Sequence, residues 1–381
     1  MPLSVGVVAE TAPGERRVAL TPDAARRLLR SGPAVRVETG AGIAAGLLDE
    51  AYAAAGCAVV GRAEALAADV VLTVQGLPEA DLPALRRGAL VVGLLRPLDD
   101  RAAAERYAAA GATALAMELV PRTTRAQKMD ALSAMSTVAG YKAALLAADL
   151  LPRFFPLLTT AAGTVRPARV LVLGAGVAGL QALATARRLG AVTAAYDVRA
   201  AAREQVESVG AAFVELDLET GDAEDAGGYA RALAAEQQAR QVEALATHLP
   251  AYDVVIATAL VPGRPAPRLV TRAGLAGMKP GSVLVDLAAP GGGNCEATVP
   301  GETVVAEGVT VAGPTNLPAA MPQHASEMYA RTLVALVLDT LGDALAADGP
   351  LALDLSDEIL GATVVAHGGA IVHPRLLEPA L

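Results

Sequence analysis

The chain has 381 residues, of which 53% are apolar and 19% charged, and its formal net charge is -9. A chain this long and this apolar builds two or three domains around buried cores, which excludes a disordered protein. Its Lys and Arg residues form no block, and that excludes nucleic acid or anionic lipid as the main partner, since either needs a clustered basic footprint.

The first ten residues, MPLSVGVVAE, carry neither the basic region nor the sustained apolar stretch of a signal peptide. Toward the N-terminus SVGVVAE, AVRVETG, CAVVG, DVVLTVQ, ALVVGLL and ATALAMEL are predicted strands. PDAARRLLR, LLDEAYAAAG, EADLPALRRG and DDRAAAERYAAAG are the predicted helices between them. This alternation implies a parallel sheet covered on both faces. A polar stretch, VPRTTRAQKMD, leads into a predicted helix over Ala131–Leu150. A second alternating series then begins at Arg169, with ARVLVLG, AVTAAYD, AAFVELD, YDVVIATAL, SVLVDLA and GVTVAGP as strands. After Pro314 come a long helix, roughly 317–341, and two short strand-like pieces around Leu353 and Val364. These last pieces are too short to fold alone and are expected to return to the first domain. The longest apolar runs, such as residues 170–186, are interrupted by glycines and Gln181. A bilayer span needs about 20 consecutive apolar residues, so a cytoplasmic chain without a membrane segment is expected.

The stretch RVLVLGAGVAGLQALATARRLGAVTAAYD places Gly174, Gly176 and Gly179 in G-x-G-x-x-G spacing between a predicted strand and a helix. Gly174 permits the tight turn, Gly176 lets backbone amides approach a pyrophosphate, and Gly179 lets helix and strand pack closely. The next strand ends in Asp197, about 20 residues on, where an acid bonds the adenosine ribose 2′-hydroxyl. The glycines alone are weak evidence, but strand, turn, helix, second strand and terminal acid together are strong. A carboxylate there repels a 2′-phosphate, so NAD(H) is favoured over NADP(H). Arg199, close behind, reads as a solvated residue at a helix start. The predicted fold class is α/β, with two Rossmann-like doubly wound parallel-sheet domains separated by a cleft. The first comprises residues 1–130 and 315–381, and the second, NAD-binding, comprises 131–314.

Reducing a keto or imino acid requires a proton donor as well as a hydride. The four histidines, His248, His324, His367 and His373, avoid the predicted strand ends of the first domain, and each reads as a surface or capping residue. Cys57 and Cys295 match no metal or redox spacing and read as buried thiols, and no metal site is expected. Transfer of hydride between two nicotinamide rings needs no acid or base, because the cofactor carries the chemistry and the protein supplies geometry. The shortage of proton donors fits that reaction.

The sequence resembles, end to end, the NAD(H)-binding alpha-1 component of proton-translocating transhydrogenases and, more distantly, alanine dehydrogenase. ERRVALTP from Glu15 is common to both. PRTTRAQKMDALS from Pro121, GAGVAG from Gly174, AGGYA from Ala226, TALVPGRPAP from Thr258 and GSVLVDLAAPGGGNCE from Gly281 resemble the transhydrogenase versions. The tail GAIVHP resembles the end of that component where it is a separate polypeptide. The resemblance implies that Arg122, Gln127, Asp130 and Ser133 hold the nicotinamide ring and its ribose, although the residues alone suit a polar linker equally well. It adds Ala175, Val177, Val198, Arg199, Thr258, Ala259 and Leu260 to the cofactor-binding set. It also places Tyr229 in a mobile loop that closes over nucleotide, and Gly263, Pro265 and Pro267 near the adenosine, where a rigid turn is an equal reading. Where alanine dehydrogenases carry a Lys, this chain has Gln75, and their His after the strand VVGLLRPL is missing. Arg17, at their carboxylate-gripping position, is then structural or a relic. The implied function pairs NADH here with NADP+ in a partner subunit. Membrane subunits (alpha-2 and beta) carry the proton, and the chain is a homodimer on the cytosolic face. The alternatives are an amino acid dehydrogenase and a non-catalytic NAD sensor.

Overall fold

In the computed structural model, which describes residues 3–216, 235–260, 265–346 and 351–377, the Val-, Leu- and Ala-rich runs form buried strands with helices between them. Chain contacts divide it into two units, Met1–Met135 with Pro318–Leu381, and Ser136–Leu317. The early strands are β1 (Ser4–Val7), β2 (Ala34–Glu38), β3 (Ala58–Val60), β4 (Val70–Gln75), β5 (Leu90–Leu94) and β6 (Thr113–Ala116). A small hairpin follows, β7 (Leu158–Thr160) and β8 (Gly163–Val165). Then come β9 (Arg169–Leu173), β10 (Val192–Tyr196), β11 (Ala212–Phe213), β12 (Val254–Ala257), β13 (Val283–Asp286), β14 (Thr303–Ala306) and β15 (Val309–Ala312). The chain closes with β16 (Val364–His367) and β17 (Ala370–Ile371).

Among the described residues the first unit holds one sheet, ordered β17-β16-β6-β5-β4-β1-β2-β3. Strands β1 to β6 are parallel. The C-terminal tail does return to this sheet, but antiparallel, with β16 against β6 and β17 against β16. Strand β16 follows the short helix Glu358–Thr363 directly and joins the free β6 edge of the sheet. Around Leu353 no strand forms. EADLPALRRG makes only a 3₁₀ stretch, Glu79–Ala84, because Pro83 removes a backbone donor from its interior. The short helix Arg62–Leu66 was not among the predicted elements.

The second unit's main sheet runs β11-β10-β9-β12-β13-β15-β14. Its strand order reverses between β9 and β12, the place where doubly wound sheets bind ligands beyond the strand ends. The unpredicted β14 joins β15 antiparallel through Glu307 and Gly308, both with positive φ, as a two-residue hairpin turn of the I′ kind demands. Helix Ala131–Leu150, in which an 18-residue window has a mean hydropathy of 1.2, is among the described residues the one helix long and apolar enough to cross a membrane by length and composition. Its apolar content has a packing role: Ala143, Ala144 and Ala147 lie in one core with Val170, Val172 and Ala182. Gly140 lets this helix meet the helix Val177–Arg188, since a β-carbon on Gly140 would lie 2.1 Å from the Ala178 carbonyl oxygen.

Two half-buried carboxylates hold strand ends of the first unit. Glu10 accepts from the Val74 and Gln75 amides at 2.5 and 3.0 Å. Glu118 accepts from the Leu95 amide at 3.3 Å and from the Arg96 amide, fixing Arg96 at φ 53°, a left-handed value unusual for a side-chain-bearing residue. Burial pushes both carboxyls up to about 7.

Two outcomes are expected. Gly140→Ala should destabilise the protein by about 1–3 kcal/mol despite alanine's better helix propensity, because the clashing atom is backbone and cannot swing away; a melting temperature equal to or above that of the parent would refute the close contact. The raised carboxyls keep protons that the unfolded chain has already released between pH 5 and pH 7, so they lower stability as pH rises through that window. The buried His373, with its pKa lowered by burial, acts in the opposite sense. The informative comparison is therefore with the double variant Glu10→Gln/Glu118→Gln. Relative to it, the parent's urea midpoint should fall between pH 5 and pH 8, and parallel curves would contradict the assignment.

Candidate functional site

The glycine turn joins β9 to the helix Val177–Arg188. Gly174 adopts φ 97°, and a β-carbon there would lie 2.8 Å from Thr258 Oγ1. Gly179 packs against the same turn, its missing β-carbon falling 1.9 Å from the Gly174 carbonyl oxygen. Gly176 is the helix N-cap without a side-chain bond, and among the described residues no atom beyond its chain neighbours lies within 4 Å of where its β-carbon would be. Gly176 and Val177 are exposed and Ala175 is buried. The helix thus presents backbone N–H groups with no side-chain cap to open space, which suits a pyrophosphate.

Asp197, directly after β10, accepts from the Ala175 amide at 2.8 Å, which ties the acid to the glycine turn. Arg199 corrects the reading of it as a solvated residue. Its side chain is only 18% exposed, and its Nε and Nη2 each donate to the Asp197 carboxylate at 3.0 Å, beside its own amide at 2.9 Å. A spacing of two residues lets the guanidinium fold back onto the acid. Val198 lies between them, half-buried. Across the switch point, Thr258 and Ala259 follow β12 half-buried, and Leu260 is 47% exposed. Thr258 Oγ1 donates to the Gly174 carbonyl at 2.9 Å, so the two strand-end turns are joined. Tyr229 and Gly263 lie outside the described residues.

In the first unit, Arg122 and Gln127 are exposed, and Asp130 and Ser133 are half-buried. Asp130 precedes the helix Ala131–Leu150 and accepts from the Ser133 amide at 2.7 Å and the Ser133 hydroxyl at 2.6 Å, a capping arrangement that gives both residues a structural role. The segment is anchored by the fully buried Ala126 and Met129. It is also clasped from outside: Arg125 bonds Asp339 at 2.7 Å and Asp357 at 2.6 Å, and Lys128 bonds Asp339 at 2.5 Å. Sequence reasoning missed Asp339 and Asp357, which lie more than two hundred positions away and belong to no motif. These pairs are partly exposed, so each contributes little singly.

The ERR segment builds a buried ion pair. Arg17, 3% exposed, donates through Nε and Nη2 to the two Glu15 oxygens at 2.7 and 2.6 Å, and Gln75 Nε2 donates to Glu15 at 2.9 Å. Burial opposes the charge on Glu15, but the Arg17 fork and the Gln75 amide hold its carboxyl down to about 2. The Arg17 Nη1 lies 3.1 Å from the Met135 Sδ, on the side of the guanidinium away from this fork. Cys57 and Cys295 are buried free thiols. His373 is buried, not superficial, with Nε2 3.1 Å from the Ala362 carbonyl, because the returning tail packs into the sheet. Among the described residues no group of three His, Cys, Asp or Glu is arranged for a metal ion.

Comparison with known proteins matches residues 6–139 to the family described as Alanine dehydrogenase/PNT, N-terminal domain, and residues 143–374 to its C-terminal domain counterpart. NAD(P) transhydrogenase subunit alpha of Cereibacter sphaeroides is 45% identical, over 98% of this chain and 71% of that protein. The crystal structure of transhydrogenase from Sinorhizobium meliloti superposes with a TM-score of 0.87 at 43% identity, covering 97% of this chain and 100% of that one. Alanine dehydrogenase of Mycobacterium tuberculosis is more distant, 30% identical over 98% of this chain and 96% of that protein. With both domains matched and the likeness carried from end to end, the chain belongs to the alanine dehydrogenase/PNT family and stands nearer to the transhydrogenase alpha chains than to that dehydrogenase.

Proposed function

We propose that this chain is the NAD(H)-binding subunit of a proton-translocating NAD(P) transhydrogenase. The observation that carries the reading is the open glycine turn backed by Asp197, which suits a dinucleotide. Gln75, standing where alanine dehydrogenases carry a Lys, disfavours amino acid binding. Gly174, Ala175, Gly176, Val177 and Gly179 hold the pyrophosphate, and Asp197, Val198 and Arg199 hold the adenosine ribose. Thr258, Ala259 and Leu260 line the same nucleotide, with Tyr229 closing over it. Arg122, Gln127, Asp130 and Ser133 orient the nicotinamide, whose carboxamide needs donors and acceptors together. When bound, NADH supplies a hydride that passes directly to NADP+ held by a partner subunit. This chain's residues then have only to fix distance and orientation and to exclude water. Proton movement belongs to membrane subunits, alpha-2 and beta, on whose cytosolic face a homodimer of this chain docks.

The decisive assay mixes the purified chain with the NADP(H)-binding domain of a transhydrogenase, NADPH, NADH and acetylpyridine adenine dinucleotide. Reduction of the analogue should require both proteins. Formation of pyruvate from L-alanine and NAD by the chain alone would overturn the reading in favour of an amino acid dehydrogenase. In the same assay Asp130→Asn, which keeps an oxygen for the Ser133 amide, should slow transfer by about tenfold or more while leaving NADH affinity within about threefold, the difference between losing transition-state geometry and losing ground-state binding. Equal losses in both quantities would place Asp130 in the capping role alone. Asp197→Ala should weaken NADH binding by about tenfold to hundredfold, the range for a hydrogen bond to a charged group, and should narrow the preference over NADPH. Titration by nucleotide fluorescence reads both.

A further inference from the structure

The motif GSVLVDLAAPGGGNCE is a distinguishing stretch of this sequence to which the proposed function assigns no role. Two of its buried polar residues, Asp286 and Asn294, are fully excluded from solvent. Asp286, at the end of β13, gathers the loop that follows. Its carboxylate accepts from the Ala288 amide at 3.0 Å, the Asn294 amide at 2.7 Å, the Cys295 amide at 3.0 Å and the Thr298 hydroxyl at 2.6 Å. Gly293 is required in this loop, because at φ 85° its β-carbon would fall 2.8 Å from Asp286 Oδ2.

So held, Asn294 directs its amide at the neighbouring strand end. Its Oδ1 accepts from the Ala259 amide at 3.0 Å, and its Nδ2 donates to the Ala259 and Pro267 carbonyls, both at 2.8 Å. Its own carbonyl receives the Leu269 and Val270 amides at 2.8 and 3.0 Å. One side chain therefore fixes Ala259 on both backbone groups and Pro267 as well. Ala259 follows Thr258, whose hydroxyl is bonded to the Gly174 carbonyl at 2.9 Å. Hydrogen bonds from Asp286 to Asn294, from Asn294 to Ala259 and, across the peptide bond to Thr258, from Thr258 to Gly174 thus link this loop to the first glycine of the dinucleotide turn.

We propose that Asn294 is a positioning residue for the nucleotide, setting the turn at residues 258–260 against the glycine turn without touching the ligand itself. The inference rests on the nucleotide site proposed above. The chemistry demands an amide: the site offers one donor and two acceptors, and only an uncharged group with both an oxygen and an NH2 satisfies all three. Aspartate has the same shape and, when ionised, no donor. Its charge would face the Ala259 and Pro267 carbonyls. Asp286 lies beside it, the Cys295 thiol follows, and Arg268 is the nearby cation, engaged with the Cys295 carbonyl at 2.7 Å. Among the described residues, two carbonyls and one carboxylate against the Arg268 guanidinium, already engaged with a carbonyl, favour the protonated form, so Asn294→Asp should titrate above the ordinary aspartate value of about 3.9.

The test is NADH titration of the full chain and of Asn294→Asp between pH 6 and pH 8, with thermal melts of the unliganded proteins alongside. The parent should bind equally well across the range. The variant should bind about tenfold more weakly at pH 8, the loss of two buried donors, and recover most of that as pH falls to 6. Its hydride-transfer rate at saturating NADH should stay within about twofold of the parent, since orientation of the nicotinamide is not altered. A merely structural role would lower the melting temperature of Asn294→Asp and leave its NADH affinity equal to the parent's at every pH, which would overturn the proposal. Should Asn294→Asp fail to fold, Asn294→Ser retains one donor and should weaken NADH by about threefold; parental affinity in that variant would refute the idea equally. Absence of NADH binding by the parent itself would instead bring down the nucleotide site and this inference together.

Discussion

The second unit is organised around an approach that no side chain permits. The helix Val177–Arg188 sits so close to the turn before it that a β-carbon on Gly179 would fall 1.9 Å from the Gly174 carbonyl oxygen. The helix starts there directly beyond β9, with the exposed Gly176 as an N-cap that supplies no side-chain bond. The position of β9 beside β12 brings the second turn alongside the first, where Thr258 bonds the Gly174 carbonyl. Everything assigned to the nucleotide in this unit hangs on that one contact between backbone and backbone.

Buried charge is used in the first unit for a different purpose. Glu10 and Glu118 supply acceptors to amides that have left the strand ladder, and burial raises both carboxyls because no cation compensates them fully. Glu15 faces the opposite balance: the Arg17 fork outweighs burial and its carboxyl is held low. The contrast comes from geometry, since a bidentate guanidinium satisfies a carboxylate far better than two backbone amides do.

Polar relays over short distances recur in both units. Asp197 reaches the Ala175 amide, and Asp286 reaches its own following loop through Ala288, Asn294 and Cys295. In each case an acid at the C-terminal end of a parallel strand collects amides that cannot pair within the sheet. Unpaired buried donors cost free energy, so such acids both stabilise the loops and fix the positions from which a ligand would be addressed. The clasp of Arg125 and Lys128 on Asp339 does the same for the segment before the helix Ala131–Leu150, from the exposed side.

The sequence by itself determined the α/β class, the parallel strands β1 to β6, the start of the glycine turn and the burial of the two cysteines, since period and spacing are local and survive in the folded chain. The fold class followed from strand and helix alternation, and the turn from the spacing of Gly174, Gly176 and Gly179 after an apolar strand. Local pattern could not decide that β14 and β16 would be antiparallel, because direction depends on the length of the connection and on which sheet edge is free. Nor could it show Arg199 folded back onto Asp197, Glu15 and Gln75 closing around Arg17, or Asn294 reaching Ala259. A polar side chain's partner is chosen by distance after folding. Only the tertiary structure brings Asp339 to Lys128 and β13 beside β12, and with those approaches decides which charges are neutralised and which turns are held.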